Sequence, residues 1–227
     1  MRYEKSNIIK LMDGHMLVSI KKRISILLAG FILISFCIGF MRMLDLGVDP
    51  FGASLLGISG ITGISFGTLI LLSSIPMLIF IFIKKRTLIG MGTIIAMFVI
   101  GYLIDFFYFI MSNLISAELS LPVRVVLLVV TLMILAFGCA LTITADLGLI
   151  TYDAIGIVFE EMTGGKIKFR WIRLGMDLFF AVLAVVLGAT VGIATALTVF
   201  MIGPFVNFFR DRLQSVTRKW FDNNVKR

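Results

Sequence analysis

The chain reads as an all-α, polytopic membrane protein of six transmembrane helices, arranged as two inverted three-helix repeats that each carry a short half-helix. Three observations predict this fold class. Of 227 residues, 59% are hydrophobic and 15% charged, whereas soluble domains are about a quarter charged. Several uncharged runs reach or approach the ~20 residues a helix needs to cross hydrocarbon. Two blocks of sequence also recur, in the same order, at offsets of 101 and 102 positions.

The elements follow in order. A polar N-terminal segment, residues 1–23, precedes a first apolar run without a small-residue cleavage pattern behind it, so that run is expected to stay as a membrane segment. Spans are expected at about 24–44, 66–83, 88–111, 122–144, 169–188 and 192–209. They are helices because lipid offers backbone groups no water, and the runs are too long and continuous for barrel strands. The membrane domain thus covers 24–213, as repeats 24–111 and 122–213, and a basic tail covers 214–227. That tail can lie on the membrane with Trp220 and Phe221 at the interface, or simply be solvated.

Charge placement sets the topology. Eighteen of the 21 basic residues fall in the N-terminal segment, the two alternate links at 84–86 and 166–170, and the tail. The positive-inside bias makes that side, and both termini, cytoplasmic. The net charge of +8 is therefore topology information and no nucleic-acid footprint. Cys37 and Cys139 lie inside apolar runs and His15 stands alone, which leaves no metal set and no disulfide framework. No phosphate loop, cofactor motif or Ser/His/Asp set is present either, so no cofactor and no enzymatic activity is expected.

The repeat is carried by "LDLGVDPFGA", Leu44–Ala53, against "ADLGLITYDA", Ala145–Ala154, in which Asp45, Leu46, Gly47 and Ala53 recur as Asp146, Leu147, Gly148 and Ala154. A second block starting at Gly90 matches one starting at Gly192, with Thr93/Thr195 and Gly101/Gly203 among the identities. Three spans per half is an odd number, so the second half inserts the other way up. Matched, interrupted segments in opposed halves are where a transporter of this kind places its binding site.

After each break a helix start is encoded. Asp49-Pro50 gives an N-cap followed by proline, and Thr151 is read as the cap of the second. Each half-helix is about ten residues, too short to cross. Their starts direct N–H groups and a positive dipole end at whatever they face. The unwound backbone beside Gly47 and Gly148 offers carbonyls, and Asp45, Asp49, Asp146 and Asp153 add charge suited to a cation, a proton or an ammonium group. The same acids could serve only as helix caps. Inside the spans, Arg173 and Asp177 stand four apart on one helix face, and Asp177 is the carboxylate nearest mid-span. Asp105 is read as a hydrogen-bonding residue, Arg42 as a partner for Asp45, and Glu160 and Glu161 as solvated. Gly90, Gly101, Gly192 and Gly203 are read as sites of close helix packing.

At "DLGVDPFGASL", "TGISFGTLI" and "IGMGTIIAMFVIGYLIDFF" the sequence resembles the YczE/YyaS/YitT family of bacterial integral membrane proteins. The family's Leu-Gly-x-x-Pro-Trp-Asp-like element is met by Leu46, Gly47 and Pro50, with Phe51 for the Trp and Gly52 for the Asp. The second half keeps Leu147, Gly148 and Asp153, with Thr151 for the Pro. The resemblance implies six spans and a bacterial plasma-membrane location. The expected function is a secondary transporter moving a small solute or ion by alternating access. Its expected partners are the bilayer and that unidentified ligand, and a homo-oligomer is allowed. The alternative is a non-transporting accessory or regulatory membrane protein.

Overall fold

The computed structural model describes the backbone of residues 2–115 and 119–225, and side chains over 20–115 and 119–213. Among the described residues the regular structure is helical throughout: α1 Arg2–Leu44, α2 Pro50–Thr62, α3 Phe66–Lys85, α4 Met91–Leu114, α5 Leu121–Ala145, α6 Thr151–Met162, α7 Phe169–Val186 and α8 Ile193–Val225, with one 3-10 turn at Arg86–Leu88. Five segments are long and apolar enough to cross a bilayer: Ile20–Leu44, Phe66–Leu88, Met91–Leu114, Leu121–Ala145 and Ile193–Leu213. The run expected at 169–188 forms α7, whose 18 residues include Arg170, Arg173 and Asp177. Those charges keep it out of the set of five. The helix α1 runs unbroken from Arg2 into the first span. Trp220 and Phe221, on the tail, lie outside the described side chains.

Local chemistry sets the ends of the short helices. The Asp49 carboxylate accepts the Gly52 N–H at 2.9 Å and Pro50 follows, which fixes the start of α2. Gly63, at φ 71°, ends it in the left-handed conformation. The breaks after α1 and α5 share one geometry. Asp45 and Asp146 stand at φ 51° and 52°, and Gly47 and Gly148 at 94° and 110°. Left-handed backbone is costly for most side chains, tolerated by Asp and natural to Gly.

The helices α1 and α5 form a central antiparallel pair in which Gly30 lies against Gly138 and Thr142. A pair of arginines, 101 positions apart, ties their ends together. Arg124, at the start of α5, donates from Nε to the Leu44 carbonyl that ends α1, at 2.6 Å. Arg23, at the start of the span in α1, donates to the Asp146 carbonyl after α5 at 3.4 Å and to its carboxylate at 3.5 Å. Each places a cation on the negative end of the other helix. Arg124→Ala is expected to cost about 1–2 kcal/mol, read as a lower apparent Tm in detergent. Arg23→Ala should cost less than about 1 kcal/mol, because the Asp146 side chain is 82% exposed.

The flanking helices are joined to this pair by an exchange between the halves. The Leu46 carbonyl, in the break after α1, accepts the Ala194 N–H at the start of α8 (3.0 Å), and the Leu147 carbonyl, in the break after α5, accepts the Gly92 N–H at the start of α4 (2.7 Å). Gly90 and Gly192 make room for this. A Cβ at either would lie 2.1 Å from the Leu147 oxygen or 2.3 Å from the Leu46 oxygen. Thr93 completes one dock by donating to the Leu149 carbonyl at 2.7 Å.

The two short helices lie end to end along α7. In order along α7, Phe169 meets Gly156, Asp177 meets Tyr152, Phe180 meets Phe51, and Leu187 just beyond its end meets Gly57. The starts of α2 and α6 therefore face each other, with Phe51 stacked on Tyr152 at 4.9 Å, and the two helices run apart from there. At about 1.5 Å per residue, the two together are roughly as long as one membrane-crossing helix. From the other side α3 reaches α6 through Phe80, whose ring lies 5.6 Å from that of Phe159.

Candidate functional site

Where the two short helices begin, the chain gathers its interior charge. Asp177 is 6% exposed. It accepts the Tyr152 hydroxyl at 2.8 Å and the Arg173 Nε at 3.3 Å. The Arg173 guanidinium also pairs through Nη1 with Asp153, in the first turn of α6, and lies over the Tyr152 ring at 4.4 Å. Asp49 caps α2 within electrostatic range of both Arg173 and Asp177. Phe180 closes the group, its ring 5.1 Å from Phe51 and 5.7 Å from Tyr152.

The electrostatics follow from counting. Three carboxylates face one guanidinium, a formal excess of two negative charges when all are ionised. The starts of α2 and α6 supply roughly half a positive charge each, which leaves about one negative charge uncompensated. Part of the Arg173 and Asp153 side chains, 32% and 39%, remains accessible. Nothing in this arrangement suits an anion better than the carboxylates already there.

Of the sequence-derived candidates, the fold thus brings together Asp49, Asp153, Arg173 and Asp177. Asp45 and Asp146 stand apart, both exposed and both in the left-handed turn that ends a helix. Asp146 pairs with Arg23, and Asp45 lines a separate cavity. The Leu46 and Leu147 carbonyls beside the glycines already accept helix N–H groups, from Ala194 and Gly92. Arg42 does not pair with Asp45. The turn carries Asp45 away, and close contact of Gly67 with Gly101 brings Asp105 to Arg42 at 2.7 Å. The other Asp105 oxygen accepts the Gly67 N–H at 2.7 Å, and Arg42 lies over Tyr108 at 4.2 Å and Phe66 at 4.6 Å. Glu161 is exposed, as read, and is also ion-paired to Lys85. Gly203 packs against nothing within 4 Å.

Sequence reasoning missed Tyr152 and Phe180. Tyr152 had a signal, because it lies 101 positions after Phe51 and so puts an aromatic ring at the same place in both halves. Arg23 and Arg124 carried the same signal.

A model of a family of unknown function, DUF6198, matches residues 21–211. The chain belongs to the DUF6198 family. Among curated proteins it is similar to YyaS of Bacillus subtilis (strain 168), 28% identical over 183 residues, covering 79% of this chain and 88% of YyaS. It is also similar to YczE of the same organism, described as an uncharacterized membrane protein, 25% identical over 181 residues, 79% of this chain and 81% of YczE. A Haemophilus influenzae protein is 27% identical over 189 residues, 83% of each chain. The resemblance to the YczE and YyaS proteins is borne out. No solved structure matches the chain. With its five long apolar helices, this DUF6198 member is a multi-pass membrane protein.

Proposed function

We propose that the chain is a secondary transporter of the bacterial plasma membrane, moving a small solute by alternating access, with the Asp49–Asp153–Arg173–Asp177 group as its ligand- or ion-binding site. One observation carries the reading. Two short helices begin face to face at a charged group that is partly accessible and holds more carboxylate than guanidinium. The ligand best suited to that charge is a small cation, or a proton coupled to a neutral solute.

On this reading α7 is the sixth span. Its 18 residues reach about 27 Å at 1.5 Å per residue, close to the ~30 Å hydrocarbon core. The charges within it are tolerable because Arg173 is paired to Asp153 and Asp177. Six crossings put both termini on the basic, cytoplasmic side. The halves then have opposite orientation, and the α2 end of the structure faces out while the α6 end faces in. A site where the two halves meet can face either side as the halves exchange conformations.

The test has two parts. Single cysteines replacing Ile64 and Lys166 are labelled in oriented membranes by an impermeant maleimide, and they are expected to react from opposite sides. Reaction of both from one side would overturn the inverted arrangement. The reconstituted protein is then tested with H⁺, Na⁺, choline and guanidinium by solid-supported-membrane current. At least one probe should give a current that Asp177→Asn removes while the protein stays folded. Silence of both proteins to every probe, with function lost instead on truncating the basic tail, would favour the accessory role.

A further inference from the structure

The two ends of the structure are built on matching positions and yet are in opposite states. At the α2 end a cavity of about 460 Å³ opens between the break after α1 and the α7–α8 link, lined by Gly47, Val48, Gly57, Gly60, Ala189 and Thr190 among others. Gly148 and Leu149, 101 positions after Gly47 and Val48, line a pocket of only about 20 Å³ beside Cys139 and Asp153 at the α6 end, apart from the shallow open hollow over Phe82–Thr87 on the rim.

What fills the second space is visible in the packing. Val158 and Ala154 are buried with Ile81, and Leu88, Ile89 and Leu149 pack against them. The rim is held by the Lys85–Glu161 ion pair and by Phe80 on Phe159. At matching positions the open end carries smaller or uncharged residues. Gly57 stands for Val158 and Gly60 for Glu161 at an offset of 101, and Thr190 and Val191 stand for Leu88 and Ile89, and Leu187 for Lys85, at the offset of 102 that relates Gly90 to Gly192. The difference between the ends is therefore written in the sequence as side-chain size and charge.

We propose that this structure is the state open at the α2 end, and that Leu88, Ile89, Leu149 and Val158, latched by Lys85–Glu161, form the gate that closes the α6 end. This rests on the alternating-access reading above and adds to it which face is shut and by which residues. Asp153 lines the small pocket that Leu149, one of the gate residues, also borders. Opening the gate connects the charged group to the opposite face. Weakening contacts made only in this state shifts the population toward the other one.

The test uses the full chain in membranes and a small impermeant methanethiosulfonate reagent applied to each face in turn. Native Cys139 reports on the closed pocket, Leu56→Cys in a Cys139→Ser background reports on the open cavity, and fully buried Cys37 serves as internal blank. In the wild-type chain Leu56→Cys should react and Cys139 should be protected. The combined substitution Leu88→Ala and Ile89→Ala should raise the Cys139 rate on the order of tenfold or more and lower the Leu56→Cys rate. Glu161→Gln, a milder change that leaves the core intact, should move both rates the same way by less.

Protection of Cys139 in every variant that still melts cooperatively would overturn the gate. So would a faster Cys139 with an unchanged Leu56→Cys rate, since that is a leak through static packing and no exchange of states. Neither outcome touches the sidedness or current measurements that test the transport reading itself, so the two can fail separately.

Discussion

Arg173→Gln is expected to be the most damaging single polar substitution in the chain. The guanidinium holds Asp153 and Asp177 together and is one cation to three carboxylates. Its removal leaves Asp177, 6% exposed, with Tyr152 as its remaining donor. Losing one partner of a buried ion pair costs about 3–5 kcal/mol, because the other charge is left uncompensated away from water. The apparent Tm in detergent should therefore fall by many degrees. Adding Asp177→Asn to Arg173→Gln should recover a substantial part of the loss, with a coupling of about 1–3 kcal/mol. Strictly additive melts for the two changes would show that the group is not an electrostatic unit.

The second large effect is at the docks. Gly90→Ala places a methyl group 2.1 Å from the Leu147 carbonyl oxygen, and Gly192→Ala places one 2.3 Å from that of Leu46. Both obstacles are backbone, so no side chain can rotate away and a break loop must move. Overpacking of this kind costs at least about 1–3 kcal/mol, and it also strains the hydrogen bonds to Gly92 and Ala194. Gly203→Ala is the control. Nothing lies within 4 Å of its Cβ, and alanine is the better helix former by roughly 1 kcal/mol, so its Tm should hold or rise. An equal fall for Gly203→Ala would mean that these glycines serve some common surface and not the two docks.

Five of the six expected spans were legible because their signal is composition, which needs no tertiary context. The breaks were legible too, since Asp-Leu-Gly recurs at an offset of 101. Its meaning was only half legible. A recurring carboxylate in a greasy chain invites a ligand role, but Asp45 and Asp146 recur where a helix must end in left-handed backbone, at φ 51° and 52°. The charged group instead collects residues that do not recur. Asp153, Arg173 and Asp177 stand where the first half has Gly52, Leu72 and Pro76. A search for repeats finds the scaffold and passes over what has been added to one copy.

The meeting of α2 and α6 could not be read at all from the sequence. Their lengths excluded a full crossing, but the direction in which each leaves its break depends on α7, which receives both along its length. The reciprocal arginines needed the structure for the same reason, because each acts on the end of a distant helix.

The reciprocal docks also bear on how the protein is made. When the ribosome has released α4, the Leu46 carbonyl and the Gly92 N–H still lack the partners they will find on residues yet to be synthesised, Ala194 and Leu147. The first half thus lacks one of its backbone partners until α8 supplies it. A chain lacking α8 would leave the Leu46 carbonyl without the Ala194 N–H, so the two halves are completed by one another.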